Sequence, residues 1–221
     1  AFGAACILLG HERVALANPH FPGQRLINFS QARFSGLIEY RGNDLNLAAN
    51  VLQSGEPLAV LDDRIEFGPR ALGATSILFH STQPDCFETF NEHVKKRETF
   101  RPLAPVCFAE DANAWFVIPE NARHLTETMS TLVRPTALTL ERYPGYIHVD
   151  GTCRLQTINR DGSLMASILN ACVSLGCHVL INTSFNVAGD PMVYDEVDAI
   201  LSMRRMGLRF VAARDGVYEI L

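Results

Sequence analysis

From residue 45 to the C-terminus, apolar runs of strand length alternate with longer segments of helical period, which restricts the chain to a sheet packed against helices. Leu58-Ala59-Val60-Leu61 and Ile77-Leu78-Phe79 read as buried strands over 57–61 and 76–80. Phe87, Phe90 and Val94 recur at intervals of three and four and predict a helix over 85–96. Leu164, Ile168, Leu169, Cys172 and Leu175 predict another over 163–175, stopped by Gly176. Helices are also expected over 45–54, closed by Gly55, and near 195–206. Further strands are expected at 106–109, near 136–141, 146–149 and 154–158, and at 177–182, 209–213 and 216–220. The order is not a simple strand–helix–strand repeat, so the sheet should be mixed and not doubly wound. Residues 10–44 and 111–135 read as irregular, the first with turn signals at Asn18-Pro19 and Pro22-Gly23, the second holding Trp115.

A chain of 221 residues makes one large domain or two small ones. No apolar run approaches the roughly 20 residues that span a bilayer, and no basic-then-apolar leader opens the chain, so a cytoplasmic protein is expected, with no membrane partner. The net charge of −5 argues against broad nucleic-acid binding, which needs a basic face. Six cysteines form no Cys-x-x-Cys pair and are expected to be reduced, and no two histidines have helical ligand spacing, so no metal site is expected. Ala1 to Ala5 read like the inside of a packed helix, which suggests a piece of a longer protein.

Four segments carry chemistry. Glu66-Phe67-Gly68-Pro69-Arg70-Ala71-Leu72-Gly73 sets a guanidinium in a turn between two buried strands, where it can recognise phosphate or carboxylate bidentately. The same octapeptide also fits a surface arginine in a tight turn. Asn91 to Pro102 places Lys95, Lys96, Arg97 and Arg101 within seven residues, the densest positive cluster of an acidic chain. Pro102 should hold Arg101 extended, just off the helix end. An oxyanion clamp and a solvated basic helix end both fit this pattern. In His148 to Thr157, Asp150-Gly151 signals a turn, and Arg154 and Gln156 share parity on the following strand. That suits an anion beside a neutral amide, or the polar face of an exposed hairpin. Finally Asn182-Thr183-Ser184-Phe185-Asn186 follows an apolar strand, at the sheet end where α/β proteins bind ligands. Its hydroxyls and amides suit phosphate oxygens and a carboxamide, and also a capped loop.

Taken in order, these four segments resemble the C-terminal domain of NodU-type O-carbamoyltransferases, from about residue 57 to the end. Residues 10–50 resemble it poorly. The resemblance implies a YrdC-like α/β fold, an open twisted mixed sheet with flanking helices and a basic concave face. It divides the chain into residues 1–50, the tail of an N-terminal domain with its linker, and residues 51–221, the YrdC-like domain. It implies a domain that makes carbamoyl adenylate from carbamoyl phosphate and ATP, with Mg²⁺ accompanying the ATP. An actin-like ATPase-fold N-terminal domain, carrying a His-bound metal, would then pass the carbamoyl group to an acceptor hydroxyl. The resemblance gives Arg70, Lys95 and Arg101 catalytic roles, and Arg70, Lys95, Arg97, Arg101, Arg154, Asn182, Ser184 and Asn186 substrate and nucleotide binding. Two departures stand out: Thr75 where the family has arginine, and Asp62-Asp63 where it has Gln-Gly, which are expected to bring two negative charges near the pocket. Alternatives are a non-catalytic YrdC-like module that binds nucleotide or RNA, and a related synthase that carbamoylates an amino acid for tRNA modification.

Overall fold

The computed structural model describes residues 34–66 and 68–221. In chain order the strands are β1 (Ile38–Gly42), β2 (Leu58–Leu61), β3 (Thr75–Phe79), β4 (Ala104–Phe108), β5 (Phe116–Val117), β6 (Leu132–Pro135), β7 (Cys153–Arg154), β8 (Gln156–Ile158), β9 (Leu180–Ser184), β10 (Phe210–Ala213) and β11 (Gly216–Ile220). The helices are α1 (Leu45–Gln53), α2 (Cys86–Phe90), α3 (Ala112–Trp115), α4 (Arg123–Thr126), α5 (Ala137–Arg142), α6 (Leu164–Ser174) and α7 (Glu196–Met206). Eight strands form one sheet in the order β1-β11-β10-β2-β3-β9-β4-β8, and β5-β6-β7 form a small second sheet. The large sheet is mixed as expected: β10 runs parallel to β2, and β4 to β8, while the other neighbours are antiparallel.

Strands β2, β4 and β10 are apolar on every residue because both faces are covered. On one side Leu58, Val60, Val106, Phe108 and Leu180 meet Leu52 of α1 and Ile168, Leu169 and Cys172 of α6. On the other, Ala59, Leu61, Cys107 and Ile181 meet Ala199, Ile200 and Met203 of α7 and the aromatic lobe of Trp115, Tyr143 and Tyr146. The helix starts are set by side-chain caps that satisfy otherwise orphaned N–H groups. Asp44 accepts from the Asn46 N–H, Ser163 from Ala166, and Asp195 from Val197 and Asp198.

Several expectations are corrected. Residues 136–141 are not a strand. The hydroxyl of Thr136 caps α5 by accepting from the Thr139 N–H, and the Thr139 hydroxyl donates to the Trp115 carbonyl. Ala-Leu-Thr-Leu alternates like a strand, but the cap and that tertiary bond make it a helix. Residues 146–149 are turn, entered through a 3₁₀ turn over Pro144–Tyr146. The strand expected near 154–158 is split between the two sheets, with Leu155 buried at the junction. The segment 111–135 holds α3, β5, α4 and β6, and β1 lies within 10–44. The strand placed at 177–182 is β9 at 180–184, so Ser184 as well as Asn182 is inside the strand. The helix expected over 85–96 is α2 followed by a π-helical turn over Asn91–Lys95. The expectations for Ala1 to Ala5, and for the turns at 18–19 and 22–23, lie outside the described residues. Among the described residues no helix is long and apolar enough to cross a membrane.

The loop from β2 to β3 is held against α6 where Gly73 touches Met165. A methyl group on Gly73 would sit 2.6 Å from the Met165 Cε, and its φ of +118° strains any side chain. Gly73→Ala should therefore lower stability by about 2–3 kcal/mol. Gly162→Ala, also at positive φ but with nothing within 4 Å, should cost about 1 kcal/mol. Urea unfolding of the two variants checks the difference.

Candidate functional site

The loop between β2 and β3 lies over the sheet as a strap, and one buried carboxylate shapes it. Glu66 Oε1 accepts from the Leu72 N–H at 2.7 Å and the Ala74 N–H at 3.2 Å. Its Oε2 accepts from the Thr75 N–H at 3.0 Å and the Thr75 hydroxyl at 2.6 Å. Thr75, a departure from the resembled family, is thus a fully buried partner of Glu66. The strap is tied to the sheet by two amides. Asn182 Nδ2 donates to the Ala71 carbonyl and to Gln156 Oε1, and Gln156 Nε2 donates to the Leu72 carbonyl. Arg70 is exposed on this strap.

A second wall comes from the π-helical turn. A π turn is wider than an α turn and often re-aims side chains at functional sites. It ends at Lys96, whose backbone is left-handed with φ 51°. Asn91, fully buried, donates through Nδ2 to the Thr99 and Arg101 carbonyls, and its Oδ1 accepts from Arg97 Nε at 2.7 Å. This fixes the Arg97 guanidinium. Lys95 turns inward and is 1% exposed. Its ammonium donates to the carbonyls of Ser184 and Asn186, each at 2.6 Å, and to their side-chain oxygens at 3.3 and 3.1 Å. Lys96 points away and donates to the Arg205 carbonyl.

These walls enclose a pocket of about 110 Å³ lined by Arg70, Arg97, Arg154, Asn182, Thr183 and Ser184, with Pro69, Ala71, Pro102, Leu103, Ala104 and Met129. It holds three guanidiniums, two hydroxyls and an amide, and no carboxylate lines it among the described residues. Burial first, then the neighbouring Arg70, lowers the pKa of Arg154. Burial first, then Arg101, lowers that of Arg97, with Glu98 opposing. Positive groups gathered with no negative partner form a receptor for an anion.

Five of the eight residues expected at the site line this pocket: Arg70, Arg97, Arg154, Asn182 and Ser184. Lys95 and Asn186 form a layer supporting Ser184, whose hydroxyl donates to Asn186 Oδ1. Arg101 is exposed, 3.4 Å from the Glu98 carboxylate, and does not line the pocket. Arg154 and Gln156 do not share one strand as their parity implied. They serve different sheets and different cavities. Glu66, Asn91 and Gln156 organise the site, although sequence reasoning gave Glu66 and Asn91 no roles and set Gln156 to meet a neutral amide. A buried carboxylate in a Gly-Pro turn and a buried asparagine before the basic cluster were the available signals.

Beyond Leu72 lies a larger cavity of about 490 Å³, lined by groups of both signs that include Asp62, Asp63, Glu127, Asp161, Gln156, Ser163 and Arg214. The acidic pair therefore faces this cavity and not the arginine pocket. Asp62 is paired there, accepting from Arg214 Nε at 2.5 Å and from the Leu164 N–H at the start of α6. The five cysteines among the described residues are buried, and burial raises the thiol pKa of each, which disfavours the reactive thiolate.

The family model described as "Carbamoyltransferase C-terminus" matches residues 49–219. Nodulation protein NolO of Bradyrhizobium diazoefficiens is 36% identical over 171 residues, 76% of this chain and 31% of that protein. A nodulation protein U of Rhizobium fredii is 37% identical over 143 residues, 64% of this chain and 24% of that protein. The chain thus spans about a quarter to a third of the length of these curated relatives. Among solved structures, Escherichia coli YciO superposes with a TM-score of 0.55 at 10% identity, over 78% of this chain and 77% of that one. T. kodakarensis HypF superposes with a TM-score of 0.54 at 17% identity, over 83% of this chain and 21% of that one. These likenesses show the YrdC-like fold, the open mixed sheet with flanking helices that the sequence resemblance implied.

Two outcomes follow from the geometry. Glu66→Gln turns an amide N–H₂ toward donors and should cost about 2–4 kcal/mol, with faster amide exchange at Leu72 and Ala74, read by urea unfolding and hydrogen exchange. Burial, aided by Arg97, pulls the Lys95 ammonium from its ordinary 10.5 down to about 7. Below about pH 7 both folded and unfolded chains carry this proton, and the cost of burying the charge is fully present. From there to about pH 10 the unfolded chain holds more protons, so rising pH favours the fold. The stability of the parent relative to Lys95→Met should therefore rise across that window, as denaturant titrations at several pH values would show.

Proposed function

Because the chain belongs to the carbamoyltransferase C-terminus family, we propose that it forms carbamoyl adenylate from carbamoyl phosphate and Mg-ATP, for transfer to an acceptor hydroxyl. The observation that carries this reading is the pocket of three guanidiniums with no carboxylate among the described residues, small enough to suit a phosphate group with a short acyl substituent. In this reading water releases inorganic phosphate from carbamoyl phosphate, leaving carbamate. A carbamate oxygen attacks the α-phosphorus of ATP, the bond to the β-phosphate oxygen breaks, and pyrophosphate leaves. Such a displacement needs positioning and charge neutralisation more than a protein nucleophile. Arg70, Arg97 and Arg154 supply the charge, and the Ser184 and Thr183 hydroxyls add donors. Lys95 acts from below by fixing Ser184 and Asn186.

The larger cavity beyond Leu72 is the proposed seat of the nucleoside, since its carboxylates and amides suit ribose hydroxyls and a base amine. Mg²⁺ enters as part of the ATP substrate. Residues 38–50 lie within this domain as β1 and the start of α1, and the segment before them is proposed to connect it to an actin-like ATPase-fold domain that carries a His-bound metal and chooses the acceptor.

Pyrophosphate release from Mg-ATP, with and without carbamoyl phosphate, tests the reading. Release should require carbamoyl phosphate, and Arg154→Ala and Arg70→Ala should each slow it about a hundredfold. Release that ignores carbamoyl phosphate, or that survives both substitutions unchanged, overturns it.

A further inference from the structure

The arginine pocket and the larger cavity are separated by a thin wall. Ala71 lines the first and its neighbour Leu72 the second. Asn182, on the pocket side, donates to Gln156, on the cavity side, at 2.6 Å. Leu72, whose carbonyl accepts from Gln156, packs with Met129 and Ala104 of the pocket side in a small apolar cluster apart from the two main cores. The two parts of this wall differ in how they are held. The amides are tied to the strap carbonyls by directed hydrogen bonds. The apolar part is held by packing, and it includes a methionine, an unbranched side chain that adapts readily to a new shape.

Met129 also stands where a side chain is unfavourable. The Ser130 N–H donates to the Leu125 carbonyl at 2.8 Å and the Met129 N–H to the Thr126 carbonyl at 3.3 Å, closing the turn after α4. Such a turn holds one residue in left-handed backbone, the usual place for glycine. Met129 takes that place with φ 55° and is 5% exposed. Glycine would close the turn without strain, so the strain points to a use for the side chain, and what it fills is the gap against Leu72.

We propose that Met129 is a specificity-determining partition. Turned in, it lets each cavity hold its own ligand, and it has to swing aside before one ligand can occupy both. The inference rests on the reading of the arginine pocket as a phosphate site and of the larger cavity as the nucleoside seat. A phosphate or a nucleoside alone leaves the wall in place. A phosphate joined directly to a nucleoside is the ligand that the closed wall opposes. The hydrogen-bonded pair of Asn182 and Gln156 stays fixed and bounds the opening.

A ligand that binds only the opened state loses affinity by the fraction of molecules that are open, and removing the partition restores it. Calorimetric titration of the purified protein with inorganic phosphate, adenosine and adenosine monophosphate reads this directly. Met129→Ala should tighten the monophosphate about tenfold relative to both adenosine and phosphate. Met129→Gly, which suits the left-handed backbone, repeats the test should the alanine variant fail to fold. A purely structural role for Met129 would shift all three ligands in parallel. A monophosphate affinity that moves no more than those of its two parts overturns the inference alone. Failure of the parent to bind phosphate or adenosine overturns the reading of the two cavities and the inference with it.

Discussion

The site depends on the Glu66 carboxylate. A connection from residue 62 to 74 between two antiparallel strands must find partners for its backbone N–H groups where it lies buried over the sheet. Glu66 supplies them within the loop, accepting from three N–H groups and a hydroxyl. With the N–H groups bound inward, the Ala71 and Leu72 carbonyls are left for Asn182 and Gln156. One acidic residue in a Gly-Pro-Arg turn therefore determines how the strap meets the sheet, and so where Arg70 stands relative to Arg97 and Arg154.

The opposing wall follows the same logic with the sign reversed. Lys95 is a buried cation whose oxygen partners come from the end of β9 and the residues after it. Asn91 is a buried amide that ties the basic segment to itself and holds Arg97. A buried ammonium is costly unless hydrogen-bonded, and its four oxygens are neutral carbonyl, hydroxyl and amide groups. No carboxylate is spent on it, so none is brought to the pocket to weaken an anion. The most buried lysine of the motif is thus a foundation for Ser184, and the more exposed arginines line the pocket.

How much of this was legible in the sequence depends on how local the cause is. Strands β2 and β10 and the apolar stretch of β3 were readable because strands buried on both faces run apolar, and helices α1, α6 and α7 because capping residues sit beside the helices they start. The segment 136–141 was misread because its alternation is genuine, and the Thr136 cap together with the bond from Thr139 to Trp115 decides for helix. Arg70, Arg97 and Arg154 were visible as charges that an acidic chain has reason to gather. The parts of Gln156 and Asn91 were not visible, since Gln156 is joined to a carbonyl 84 residues away and Asn91 to backbone whose course the π turn creates.

The two departures from the resembled family show why charge has to be located before it is counted. Thr75 in place of arginine removes a positive charge, but its hydroxyl completes the Glu66 network that holds the strap, and three other guanidiniums still line the pocket. Asp62 and Asp63 add two negative charges, yet they face the larger cavity beyond Leu72. Asp62 is held there by Arg214 and by the first N–H of α6. The strap therefore separates two electrostatic environments, one wholly cationic and one mixed. The cationic side suits a small dianion, and the mixed side suits a larger, mostly neutral group with hydroxyl and amine functions.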